Sequence, residues 1–148
     1  MPPQPRVLMV EDNPDIADLY QLKLQLEGYT VAVASDGVAG LHMARTLLPD
    51  VTLLDIHVPQ LDGLQVLAAL RQDSATQDLP VIVCSEDDNP QLIREAQRLG
   101  AAAYLVKANL LPAHLSQTVA DVLRERTEFS VEGDSPTAEQ ASRLNKKS

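Results

Sequence analysis

The chain has 148 residues, 45% of them hydrophobic, which fits one domain with a core of its own. A formal net charge of −9 and a pI near 4.6 argue against a nucleic-acid surface, which relies on Lys and Arg to displace counterions from phosphates. No apolar run approaches the roughly 20 residues a membrane-spanning helix needs, and Met1-Pro2-Pro3-Gln4-Pro5 carries no secretory apolar region, so a cytoplasmic setting is expected.

Residues 1–5 read as a Pro-rich N-terminal extension, and an apolar run follows at residues 7–10, closed by Glu11-Asp12. Asn13-Pro14 predicts a helix start, with Pro in the first turn where its missing N–H costs nothing. Ile16, Leu19, Leu22 and Leu26 then make one apolar stripe, and Gly28 predicts the left-handed cap that ends the helix. A second run at 30–33 is followed by a stripe of Leu41, Ala44 and Leu48. The third run, 51–54, ends at Asp55, and Val66, Leu67 and Leu70 serve a shorter third helix. The fourth run, 81–84, ends at Ser85. Asn89-Pro90 opens a helix striped by Leu92, Ala96 and Leu99 and closed by Gly100, and the fifth run, 104–106, ends at Lys107. Leu111, Leu115, Val119 and Val122 stripe the last helix.

Short apolar runs alternating with helical segments are the pattern of βαβ units. Runs that are apolar throughout imply burial on both faces, so the predicted fold is α/β: a doubly wound, five-stranded parallel sheet with helices on both faces. The domain is placed at residues 6–126. Residues 127–148 turn to Ser, Glu, Gly and Lys and read as a polar tail, disordered or partly helical from near Ser135-Pro136.

Ligands of such sheets bind beyond the carboxyl ends of the strands, and Glu11, Asp12, Asp55, Ser85 and Lys107 all stand there. Each alone has a plainer reading: Asp12 or Asp55 as a helix cap, Ser85 as a loop residue, Lys107 as a solvated cation. Together they form a set suited to phosphoryl chemistry. An aspartate takes up a phosphoryl group as an acyl phosphate if the negative charges are offset, and Mg²⁺ offsets them with one or two carboxylates plus phosphate oxygens. Asp12 and Asp55 supply those carboxylates, Glu11 holds a coordinated water or adds charge, and the backbone carbonyl of His57 completes the protein's share. Lys107 is then a point charge on the phosphoryl oxygens and Ser85 a hydrogen-bond donor to another. Cys84 lies in an apolar strand and is given no role, and His42, His57 and His114 lack the spacing of a histidine metal site.

Residues 7–13, 53–63, 81–85 and 100–107, with intervals of 30 residues from Asp55 to Ser85 and 22 from Ser85 to Lys107, resemble the receiver domain of two-component response regulators over about residues 6–126. The resemblance implies a flavodoxin-like fold and phosphorylation of Asp55 by a histidine kinase or phosphotransfer protein, with Glu11 and Asp12 holding Mg²⁺. It implies a switch in which Ser85 moves toward the phosphoryl group while Tyr104 turns inward. That would change the face made by the fourth helix, fifth strand and fifth helix, which meets an unidentified downstream protein or a second copy as a homodimer. His57, Glu86 and Asp87 stand where the family tunes access to the acyl phosphate. The chain departs from the family at Ala108, where proline in a cis peptide is usual and helps fix the loop carrying the lysine, and at Glu86, where a small residue is usual. The Glu86 carboxylate repels a phosphodonor or narrows the entrance, so slow phosphoryl gain or loss is expected.

The resemblance implies a signalling domain rather than an enzyme, with at most Mg²⁺-dependent self-phosphorylation and autodephosphorylation. Three alternatives stand beside it. An aspartyl phosphatase of the haloacid dehalogenase-like group needs a second Asp where His57 stands. A pseudo-receiver would dock partners without phosphorylation, and a larger transcriptional regulator could contain this chain as its receiver part.

Overall fold

A computed structural model describes residues 4–124 and 129–132. The readings for residues 1–3, for the domain boundary after 126 and for residues 133–148 lie outside them. The elements run β1 (Arg6–Val10), α1 (Pro14–Leu26), β2 (Thr30–Ala34), α2 (Gly37–Leu47), β3 (Val51–Leu54), α3 (Gly63–Gln72), β4 (Val81–Ser85), α4 (Pro90–Arg98), β5 (Ala103–Val106), α5 (Pro112–Leu123) and β6 (Ser130–Glu132). A 3₁₀ turn, Lys107–Asn109, links β5 to α5. The parallel sheet has the order β2-β1-β3-β4-β5-β6, and it reverses direction at β1, which opens a crevice beyond the ends of β1 and β3.

Alternation along the strands explains the two helical layers. Leu8, Val10, Leu54, Val81, Val83, Tyr104 and Val106 face one side, where Ala44 of α2, Val66, Leu67 and Leu70 of α3 and Ala96 of α4 cover them. Val7, Met9, Val51, Leu53, Ile82, Cys84, Ala103 and Leu105 face the other, under Ala17, Tyr20 and Leu24 of α1 and Leu115, Val119 and Val122 of α5. A strand buried on both faces has little room for polar groups, Thr52 within β3 being fully buried, and the reactive ones stand at the strand ends.

The helix punctuation is as the sequence predicts. Asn13 Oδ1 accepts from the N–H of Asp15 at 3.0 Å and of Ile16 at 3.2 Å, and Asn89 Oδ1 accepts from that of Gln91 at 2.9 Å. Gly28 and Gly100 have φ of 98° and 81°. At each, the next N–H (Tyr29, Ala101) returns to the carbonyl of Leu24 or Ala96 at 3.1 and 3.0 Å, completing a Schellman cap. At the edge remote from the crevice, the Arg71 guanidinium donates to the carbonyls of Gln77, Leu79, Leu99 and Gly100 at 2.9–3.1 Å and pins together the loops entering β4 and β5.

Two expectations are corrected. The stripe read for α1 is not its core face: Leu19, Leu22 and Leu26 are 51%, 57% and 76% exposed, while Ala17, Tyr20 and Leu24 are buried. The helix carries two apolar stripes on opposite sides, and periodicity alone does not say which one a sheet covers. The sheet also has a sixth strand, β6, inside the segment read as polar tail. Phe129 and Val131 are the apolar residues there, and both pack onto the core layer that holds Tyr104. The Lys107–Ala108 peptide is trans, since no described peptide bond is cis.

Candidate functional site

Asp55 immediately follows β3 and is 7% exposed. Its N–H donates to the carbonyl of Val10 at 3.1 Å, which ties it to the end of β1. Its Oδ1 accepts from the N–H of His57 at 3.0 Å and its Oδ2 from Lys107 Nζ at 2.8 Å. Behind it, a Cβ on Gly63 would lie 2.3 Å from the Asp55 carbonyl oxygen, so only a residue without a side chain lets α3 start this close. The Gly63 N–H donates to the carbonyl of Ile56 at 2.8 Å and closes the loop. Asp62 and Gln65 fix the helix start with a reciprocal capping box.

Glu11 follows β1 and is 5% exposed. Its Oε2 accepts from the Asn13 N–H at 3.1 Å, and its Oε1 is ion-paired with Lys107 Nζ. Asp12 is exposed at the mouth. Carboxylate oxygens of Glu11, Asp12 and Asp55 lie within 4.8 Å of one another. Ser85, the last residue of β4, is fully buried, and its Oγ accepts from the Asp87 N–H at 3.1 Å. The Lys107 side chain is 5% exposed, and its ammonium bridges Glu11 and Asp55.

Among the described residues, the Lys107 ammonium pairs with Glu11 and Asp55, and Asp12 adds a third carboxylate to the cluster. Burial pushes the Glu11 carboxyl above its usual range, although the hydrogen bonds from Lys107 and Asn13 pull it down. Burial alone would lower Lys107, but its bonds to Asp55 and Glu11 outweigh that and hold it above the usual lysine range. The donor set is all oxygen, keeps negative charge in excess and has one member open to solvent, which fits a hard divalent cation that retains several waters. It does not suit a thiophilic metal, since burial pushes the nearby Cys84 thiol up to about 12.

The remaining predicted residues form a rim and a backing. His57 Nε2 lies 3.3 Å from Asp87 Oδ2, joining the loops after β3 and β4. Glu86 is exposed, and its charge is felt at Tyr20 on the α1 side. Tyr104 is fully buried, and its hydroxyl donates to the Asp87 carbonyl at 2.5 Å. Burial, with the neighbouring charges of Asp87, Asp55 and Asp88 adding to it and a hydrogen bond with Ser85 opposing it, pushes the phenol up to about 12. The sequence marked His57 and Asp87 separately and missed that they meet. The signal was present: each stands two residues beyond the reactive group of adjacent parallel strands. The sequence points Lys107 at phosphoryl oxygens, and the structure adds its ion pair with Glu11.

Comparisons with known proteins show the family and the fold. Residues 7–120 match the family described as "Response regulator receiver domain". The chain is 39% identical over 122 residues to the transcriptional regulatory protein PrrA of Mycobacterium tuberculosis, covering 82% of this chain and 51% of that protein. It is 38% identical over 103 residues to a Synechocystis protein described as the DNA-binding dual master transcriptional regulator RpaA, covering 70% of this chain and 43% of that one. The chain thus spans about half the length of the curated relatives it matches. Among solved structures, the signal receiver domain of the putative response regulator NarL of M. tuberculosis superposes with a TM-score of 0.76 at 32% identity, covering 84% of this chain and 100% of that one. The chemotaxis response regulator CheY4 of Vibrio cholerae gives 0.75 at 29%, covering 80% and 98%.

Proposed function

This chain belongs to the response regulator receiver family, and we propose that Asp55 is the residue on which it takes up a phosphoryl group. One observation carries the assignment: Asp55 is a buried carboxylate hydrogen-bonded to the Lys107 ammonium and grouped with two other carboxylates at the sheet's carboxyl edge. An Asp55 oxygen attacks phosphorus, the new O–P bond forms as the donor's bond breaks, and the donor's leaving group departs with the electron pair.

Glu11, Asp12, Asp55 and the His57 backbone carbonyl are the groups we assign to Mg²⁺. When bound, the ion supplies charge neutralisation between the carboxylate and the incoming phosphoryl group. Lys107 would exchange part of its present pairing for phosphoryl oxygens, and Ser85 would donate its hydroxyl to another. His57, Glu86 and Asp87 at the rim govern how donor and water enter. Beyond slow self-phosphorylation and autodephosphorylation, this reading includes no catalysis on other substrates.

The donor is a histidine kinase charged by ATP, or a phosphotransfer protein charged in turn by such a kinase, which sets the exchange in the cytoplasm. The exposed Leu19, Leu22 and Leu26 on α1 give such a partner an apolar surface running from the crevice side. Output passes to a downstream protein through the face of α4, β5 and α5, which also serves a homodimer in this reading. A second reading, in which the chain is the receiver part of a larger transcriptional regulator, is favoured by its half-length match to PrrA and RpaA.

Intact mass after incubation with acetyl phosphate and Mg²⁺ tests the proposal. One phosphoryl adduct that disappears with EDTA and in Asp55→Asn is expected. An adduct of equal yield in Asp55→Asn would overturn the assignment.

A further inference from the structure

β6 places a segment beyond α5 against the strand that carries Tyr104. Ala103, Tyr104 and Leu105 pair in parallel with Ser130, Val131 and Glu132. Register partners on parallel strands project to the same face, so Val131 stands beside Tyr104. Phe129 and Val131 join the core layer in which Tyr104 is the largest fully buried side chain. From Tyr104 a continuous set of bonds leads back to the site: its hydroxyl donates to the Asp87 carbonyl, and the Asp87 N–H donates to Ser85 Oγ.

Resting on the reading of Asp55 as phosphoacceptor, we propose that β6 is a detachable strand of this chain whose docking on the β5 edge reports the state of Asp55. A phosphoryl group on Asp55 gives the Ser85 hydroxyl an acceptor. Ser85 Oγ still accepts from the Asp87 N–H, so the loop is drawn inward as a unit and its carbonyl holds Tyr104 in place. With Tyr104 held, the seat of Phe129 and Val131 is complete. With Tyr104 swung outward, a void opens beneath them and β6 loses its support.

The strand has the marginal stability such a reporter needs. Among the described residues it is three residues long and its ladder partner is β5, and Phe129 and Val131 are half-buried. A small coupling therefore changes its population visibly, and by linkage the docked strand must strengthen the phosphorylated state by the same factor. While docked, β6 also occupies the edge between α4 and α5, so a partner using that face meets β6 or displaces it.

The test uses the full chain with Mg²⁺ and beryllium fluoride as the probe, followed by hydrogen exchange of the amides of residues 103–105 and 129–132. About fivefold or greater slowing of exchange on adduct formation is expected. Val131→Asp, which removes the apolar contact at the edge, should weaken beryllium fluoride binding by a similar factor, and Val131→Ile should restore it. An adduct that forms while exchange at these amides and the affinity of Val131→Asp both stay unchanged would overturn this inference alone. Absence of any adduct in the wild-type chain would overturn it together with the Asp55 assignment.

Discussion

His57 Nε2 and Asp87 Oδ2, 3.3 Å apart, bridge the two loops that flank the crevice, so the rim over Asp55 is linked from β3 to β4. Both side chains are substantially exposed, at 60% and 36%, which limits what the contact contributes to stability. Its consequence is kinetic. His57→Ala and Asp87→Ala should each change the rate of acyl phosphate hydrolysis by up to about fivefold, and the double variant should match the larger single effect rather than the product. Rates of phosphoryl loss from the purified adducts, followed by mass, decide this.

Among the described residues, Lys107 is the cation held between the buried carboxylates of Glu11 and Asp55. Lys107→Met leaves those charges uncompensated and should lower stability by roughly 3–5 kcal/mol near neutral pH. Mg²⁺ should restore part of the loss, because it offers charge to the same oxygens. Urea unfolding with and without the ion measures both effects.

Gly63 sets the distance between α3 and the backbone of Asp55. Gly63→Ala forces a Cβ to within 2.3 Å of the Asp55 carbonyl oxygen unless the helix moves, and should cost about 1–3 kcal/mol. Because the displaced loop carries the nucleophile and the N–H of His57, the phosphorylation rate should fall more than a peripheral change of equal cost produces. A peripheral comparison is Thr46→Ala on α2, whose hydroxyl bonds only to its own helix.

Cys84 contributes to the pH dependence at alkaline pH. Its folded value, pushed by burial up to about 12, lies above the roughly 8.5 of an exposed thiol. A raised folded value means that the contribution to stability is complete below about pH 8.5 and is lost as pH climbs toward 12. Wild type should therefore lose more stability than Cys84→Ala over that window in urea titrations. The native thiol should also resist alkylation at neutral pH.

Glu86 is exposed beside Ser85, where it adds negative charge near the entry route of an anionic donor. Glu86→Ala should speed phosphoryl gain or loss from acetyl phosphate. Identical kinetics in both directions would remove the residue from the account.

The parts of this molecule legible in the sequence are those where local chemistry leaves little choice. Asn13 before Pro14 and glycine at 28 and 100 have to cap, and groups at the ends of apolar strands in a parallel sheet have to converge, which brought Glu11, Asp55, Ser85 and Lys107 together in advance. The α1 face was misread because Ala17, Tyr20 and Leu24 compete with a more hydrophobic stripe opposite, and only the packing of α1 beside α5 decides between them. β6 was missed because three residues within a polar segment carry no periodicity, and their strand character comes from the unpaired edge of β5. The pairing of His57 with Asp87 likewise depends on two loops meeting in space.

On the proposed reading, Asp55 itself bears the acyl phosphate. Borohydride reduction of the phosphorylated chain converts such an aspartyl residue to homoserine, which peptide mass mapping locates. Homoserine at position 55, dependent on Mg²⁺ during phosphorylation, is the predicted result. Reduction at Asp12, or a stable phosphoryl group elsewhere with Asp55 untouched, would contradict it.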